Sequence, residues 1–194
     1  VGAVRALTPQ IDEGTAQHMF AAWTADRAGL YLLSDRGRQF RSLAWLDLAS
    51  DEMTYLRDDP WDAEGLAVSA DGTRLALVTN EDGYSRLELF DVADGWEART
   101  PLPTPTLPDR LRGVALELSW SPDGARLAFT LAPAADAVDV WVWDTQAGTL
   151  TRATRSALGG VPRASFVAPT LVHYPTFDGR QIPAFLYRPP QGPQ

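Results

Sequence analysis

Two histidines, His18 and His173, are the only imidazoles in the chain, and 25 carboxylates face 17 basic side chains. Imidazole moves protons near neutral pH, and beside a serine it serves as the base of an acyl-transfer site. The serine of such a site commonly stands in Gly-x-Ser-x-Gly, where a strained turn presents its hydroxyl. That string is absent, and the nearest run, Ser119-Trp120-Ser121-Pro122-Asp123-Gly124, lacks the first glycine and reads as a turn between strands. His18 precedes an apolar strand and His173 lies in a hairpin near the C-terminus, so structural or surface roles are expected of both. Adjacent acids at Asp51-Glu52, Asp58-Asp59 and Glu81-Asp82 have the residue types of glycosidase or metal chemistry. All three pairs fall in predicted loops, and none has the Asp-x-Asp-x-Asp-Gly spacing of a calcium loop, so solvated loop charge is their expected role. No glycine-rich phosphate loop occurs. The chain is therefore expected to hold no catalytic, cofactor-binding or metal-binding residue, and to need no cofactor.

The elements that would position such residues are those of an ordinary globular chain. Of its 194 residues 45% are hydrophobic and 22% charged, enough apolar surface for a sizeable core. The net charge of −8 argues against a nucleic-acid partner, because phosphate binding needs clustered basic surface. All the basic residues are arginine, and there is no cysteine, which excludes disulfides and thiolate metal sites. No apolar run reaches the ~20 residues of a membrane-spanning helix, and no signal-peptide pattern opens the chain. A soluble, cytoplasmic protein without a membrane partner is the expectation.

Three segments align without gaps: Trp23-Thr24-Ala25-Asp26-Arg27-Ala28-Gly29-Leu30-Tyr31-Leu32, Val68-Ser69-Ala70-Asp71-Gly72-Thr73-Arg74-Leu75-Ala76-Leu77, and Trp120-Ser121-Pro122-Asp123-Gly124-Ala125-Arg126-Leu127-Ala128-Phe129. Their aspartates are 45 and 52 residues apart, a period that in short strands signals propeller blades. In each unit an apolar strand (Met19–Trp23, Leu66–Val68, Leu116–Trp120) runs into a Ser/Thr-x-Asp turn. A second apolar strand follows (Leu30–Leu33, Leu75–Thr79, Leu127–Leu131), then a polar loop and a third strand (Ser42–Leu48, Arg86–Val92, Val138–Thr145). The third strands carry Asp47, Asp91 and Asp144, which fall 21, 20 and 21 positions after the first aspartate of their units. Fourth strands are predicted at Met53–Arg57, Glu97–Thr100 and Leu150–Thr154, and Val4–Thr8 reads as the end of a strand from a preceding unit. Trp23, Trp45, Trp120, Trp141 and Trp143 are expected to pack between neighbouring units. Four antiparallel strands per unit, with no amphipathic helix, give an all-β fold: a partial β-propeller of about three four-stranded antiparallel blades. A β-sandwich with similar hairpins is the competing architecture.

Residues Thr170–Thr176 and Gln181–Tyr187 form two extended runs around Phe177-Asp178-Gly179-Arg180, predicted as a C-terminal β-hairpin with a type I′ turn. Pro175 and Pro183 place it at an edge or outside a regular sheet. Blades built on Trp-Ser-Pro-Asp-Gly-x-x-Leu-Ala-Phe, followed by Tyr174-x-x-x-Asp178-Gly179-x-x-Ile182-Pro183-Ala184-Phe185-Leu186-Tyr187-x-Pro189, resemble the prolyl oligopeptidase (S9) family of serine peptidases, especially its acylaminoacyl-peptidase branch. The blade motif is shared with propellers resembling TolB, and the tail supplies the specificity.

The resemblance implies a division into residues 1–168, a partial propeller, and residues 169–194, a linker and the opening hairpin of an α/β-hydrolase domain whose Ser-Asp-His triad lies beyond Gln194. It implies a parent enzyme whose propeller gates access of short peptides to the active site, and a fragment that is itself inactive. The alternative is a stand-alone, TolB-like propeller that binds proteins. An arc of three blades is also expected to self-associate, most simply as a two-fold dimer, because its end faces and strand edges lack neighbours.

Overall fold

The computed structural model describes residues 4–8 and 15–189. Alternating apolar residues bounded by Ser/Thr-x-Asp turns form three meanders of four antiparallel strands. Blade 1 comprises β1 (His18–Trp23), β2 (Gly29–Ser34), β3 (Ser42–Asp47) and β4 (Met53–Tyr55). Blade 2 comprises β5 (Ala63–Val68), β6 (Arg74–Glu81), β7 (Tyr84–Asp91) and β8 (Thr100–Leu102). Blade 3 comprises β9 (Gly113–Trp120), β10 (Arg126–Pro133), β11 (Asp139–Asp144) and β12 (Thr149–Arg152). A separate hairpin of β13 (Thr170–Pro175) and β14 (Gln181–Leu186) follows. The partial propeller and tail hairpin expected from the sequence are thus present.

Each blade opens with one side-chain network. In blade 2 the Ser69 hydroxyl donates to Asp71 Oδ1 at 2.5 Å, Asp71 Oδ1 accepts from Thr73 N at 3.0 Å, and Ser69 Oγ accepts from Arg74 N at 2.9 Å. Thr24, Asp26, Ala28 and Gly29 repeat this in blade 1, as do Ser121, Asp123, Ala125 and Arg126 in blade 3. The hydroxyl donor holds Asp26, Asp71 and Asp123 below the usual carboxylate range. Gly72, at φ +78°, is required twice over, since a Cβ there would also lie 2.5 Å from the Ala25 backbone of blade 1. The 20–21-residue spacing to the second aspartate is a register effect. The first residue of each second strand pairs with that aspartate: Gly29 with Asp47, Arg74 with Asp91, Arg126 with Asp144. Asp47, Asp91 and Asp144 then accept from backbone N–H groups two residues on, closing the turn to the fourth strand.

Blades pack face to face, with β5 against β1 and β2, and β9 against β5 and β7. Strand β6 shows why the alternation is apolar on both sides. Leu75 and Leu77 enter one cluster with Tyr31, Leu33 and Leu43 of blade 1, whereas Ala76 and Val78 enter another with Leu127, Phe129 and Leu131 of blade 3. Trp120 Nε1 ties blade 3 to blade 2 by donating to Ala67 O at 3.2 Å.

Several local expectations differ from the structure. Val4–Thr8 belongs to no strand, although Arg5 reaches Asp51 and the Leu48 carbonyl. The fourth strand of blade 2 lies at Thr100–Leu102, because Trp96 turns inward against Phe90 and takes residues 96–99 out of the ladder. Trp23 is 58% exposed rather than packed between blades. Glu81 and Tyr84 pair directly, so the predicted polar loop before β7 is a two-residue turn, Asp82-Gly83, with both residues at positive φ. The type I′ turn therefore sits there and not at Asp178-Gly179. At the latter only Gly179 has positive φ, because Thr176 and Asp178 repeat the hydroxyl–carboxylate network of the blades. Residues Leu32, Ala44 and Leu46, on the face of blade 1 away from blade 2, are buried with Leu7, Leu30, Met53 and Tyr55 against them, so that face is covered.

Candidate functional site

The tail hairpin settles on the β6–β7 turn of blade 2. Gly83 leaves room there for the Phe185 ring, which meets Tyr84 with centroids 4.8 Å apart. His173 Nε2 lies 3.3 Å from Asp82 Oδ1 beside it. Tyr84 also carries the Arg112 guanidinium 4.3 Å from its ring centroid, a geometry in which the ring quadrupole attracts the cation. The hairpin thus marks one end of the arc, the end opposite the Ser/Thr-x-Asp turns.

At that end a cavity of about 320 Å³ opens between blades 2 and 3, lined among others by Tyr84, Arg86, Leu107, Arg112, Phe129 and Leu131. Arg86 is neutralised by Glu81 at 2.5 Å, Glu88 at 3.3 Å and Asp59 at 3.4 Å. Arg57 closes the same network on Asp59 at 2.7 Å and Glu88 at 3.3 Å. The hydrogen bond from Arg57 pulls the Asp59 carboxyl below its ordinary range, and the same bond raises Arg57. Arg112, by contrast, forms no ion pair among the described residues. The cavity therefore offers apolar walls and one available guanidinium, which can hold a carbonyl or carboxylate oxygen. It can bind an acyl or carboxyl group, and the side chains around it supply no nucleophile–base pair. Ser85, on its wall, is engaged in accepting from Ala115 N at 2.9 Å.

The residues singled out in the sequence are dispersed. His18 opens β1, with Nδ1 buried and unpartnered, while His173 stands on the tail hairpin. Ser121 belongs to a blade turn. Of the acid pairs, Asp51 and Asp58 are solvent-exposed as expected, although they pair with Arg5 and Arg38, whereas Asp59 and Glu81 are drawn into the ion-pair network of Arg86. Glu81 moreover ends β6 instead of lying in a loop. Among the described residues no group of three or more His, Asp or Glu could hold a metal ion. No helix among them is long and apolar enough to cross a membrane. Sequence reasoning missed Tyr84 and Arg112, whose only local signal is the Asp82-Gly83 turn beside Tyr84.

No family model matches the chain, and no curated protein matches it in sequence. Solved structures do match. A prolyl endopeptidase shares 17% identity over 92% of this chain and 25% of its own, with a TM-score of 0.68. A puromycin hydrolase shares 22% identity over 89% of this chain and 25% of its own, at 0.67. A puromycin-hydrolysing peptidase of Mycobacterium tuberculosis shares 19% identity over 89% and 26%, at 0.68. The chain spans about a quarter of the length of these structures. At such identities the likeness establishes the fold, that of the propeller of prolyl oligopeptidases, in agreement with the family the motifs resemble.

Proposed function

We propose that the chain is part of the β-propeller of a serine peptidase of the prolyl oligopeptidase (S9) family, on its acylaminoacyl-peptidase branch. The observation that carries this is the tail hairpin seated on blade 2, on an arc whose fold is that of prolyl endopeptidases. In this reading residues 1–168 are propeller and residues 169–194 lead into an α/β-hydrolase domain that supplies the Ser-Asp-His triad. The propeller is non-catalytic. It admits short peptides to the triad and excludes folded proteins, and the end of the arc that carries Tyr84 and Arg112 faces the hydrolase domain. The parent protein is cytoplasmic.

The test is the gene itself, read downstream of Gln194, together with an assay. A Gly-x-Ser-x-Gly string within ~150–200 residues, a typical domain length, and no hydrolysis of acetylated chromogenic peptides by residues 1–194 alone are the expected results. A stop codon soon after Gln194 would favour a stand-alone protein-binding propeller, and measurable hydrolysis by the pure chain would contradict its non-catalytic role.

A further inference from the structure

A second cleft, about 610 Å³, lies between blades 1 and 2 at the end that carries the Ser/Thr-x-Asp turns. It is built from residues that no peptidase reading uses. Its walls include Tyr31, Trp45 and Trp96, and its rim carries Asp26, Asp94 and Glu97, with no basic side chain among the lining residues. Tyr31 is 2% exposed and Trp96 6%, so the aromatic floor is fixed by the core beneath it. Trp96 packs edge-on against Phe90 at 5.3 Å between centroids and carries the Arg99 guanidinium 4.3 Å from its ring centroid, contacts that fix its orientation.

Elsewhere Trp120 and Trp143 donate their indole N–H groups to backbone carbonyls at 3.2 and 3.0 Å, whereas Trp141 Nε1 is buried without a partner. The Tyr31 hydroxyl and the indole N–H groups of Trp45 and Trp96 have no hydrogen-bond partner among the described residues and are not sealed in the core, so the hydroxyl of the otherwise buried Tyr31 opens to the cleft. Polar groups that open to such a cleft are satisfied by water or by a ligand. Burial, reinforced by the nearby Asp26 charge, raises the Tyr31 phenol above its ordinary range, which keeps it a neutral hydroxyl facing the cleft. Aromatic faces beside carboxylates that form no ion pair attract an organic cation, and a cleft of this volume lies in the range that holds small organic ligands.

We propose that this cleft binds an alkyl guanidinium or ammonium group, the cationic end of an arginine-like or lysine-like ligand. Tyr31, Trp45 and Trp96 contact the guanidinium or ammonium group and its stem, and Asp26, Asp94 and Glu97 balance its charge. The site lies on the end of the arc away from the tail hairpin, and it stands whether or not the chain belongs to a peptidase.

The test uses the whole chain and follows the indole N–H resonances of Trp45 and Trp96 by NMR during titration with N-acetyl-arginine methylamide. Progressive shifts of both signals are expected, with affinity falling several-fold as salt is raised from about 20 to 200 mM, because the rim acids are exposed to screening. N-acetyl-citrulline methylamide, the neutral isostere, should shift neither. The variant carrying Asp94→Asn and Glu97→Gln touches only exposed residues, and should weaken arginine binding at least about fivefold without lowering the melting temperature. Tyr31→Phe should weaken it about threefold. Equal shifts with citrulline, or no shift at about 20 mM ligand, would overturn the proposal.

Discussion

Leu77→Ala is the perturbation that probes the face-to-face packing of blades most cleanly. Leu77 is 1% exposed, lies in the middle of β6, and belongs to the cluster that joins blade 2 to Leu33 and Leu43 of blade 1. Its removal deletes buried methyl groups and leaves a hole bounded by strands on both sides, so the walls collapse only in part. Comparable core truncations cost about 2–5 kcal/mol, and the rigid surroundings place this one near 3 kcal/mol. For a chain of this length that corresponds to a melting temperature lower by about 6–12 °C. Urea unfolding monitored by tryptophan fluorescence gives the free energy, and calorimetry gives the temperature. Phe177→Ala is the control, since Phe177 is fully exposed at the hairpin tip and its loss should stay within about 0.5 kcal/mol. Combining Leu77→Ala with Leu33→Ala should give a coupling of at least about 0.5 kcal/mol, because both sit in one inter-blade cluster. A loss below about 1 kcal/mol for Leu77→Ala, or strict additivity of the pair, would refute blade-on-blade packing as the source of stability.

Further outcomes follow from the same geometry. Gly72→Ala should destabilise the chain by about 1–3 kcal/mol through positive φ and collision with the Ala25 backbone. Gly124→Ala, which meets only Arg74 Cγ at 3.4 Å and Ser69 Cβ at 3.7 Å, should cost less in the same urea assay. Stability should fall on acidification, because Asp26, Asp71, Asp123 and Asp178 are all held below their ordinary range by a hydroxyl donor. A lowered folded-state value contributes stability that is complete above the unfolded value near 3.9 and lost as pH drops toward the folded one. Urea midpoints from pH 7 down to pH 3 check this, and Asp71→Asn should flatten part of the slope while keeping the acceptor. Self-association should run through the outer face of blade 3, where Leu116 is 44% exposed beside Thr130. Light scattering should show a dimer that Leu116→Glu converts to monomer, and a stable wild-type monomer at micromolar concentration would contradict it.

The parts of the fold legible in the sequence are those set by local chemistry. Ser69, Asp71 and Gly72 make a turn from contacts within five residues, so three copies in register announce three blades before any packing is considered. The spacing to Asp91 is equally legible because one hairpin register fixes it. Illegible features depend on contacts between distant segments. Asp-Gly alone does not distinguish the turn at Asp82-Gly83 from that at Asp178-Gly179. The Thr176 hydroxyl bound to Asp178 decides the second, and direct pairing of Glu81 with Tyr84 decides the first. The inward turn of Trp96 depends on its packing against Phe90, which the local sequence does not encode. The meeting of Arg112, Tyr84 and Phe185 joins three elements far apart in sequence, and no local pattern encodes it.

The most direct test of the peptidase-propeller assignment is made on the protein from its native source, captured with antibodies to residues 15–189. Its intact mass is measured, and it is incubated with a serine-reactive fluorophosphonate and with N-acetyl-alanyl p-nitroanilide. The expected result is a polypeptide substantially longer than 194 residues that hydrolyses the anilide and is labelled on a serine outside this chain. A protein ending at Gln194 that neither turns over the substrate nor takes the label would contradict it.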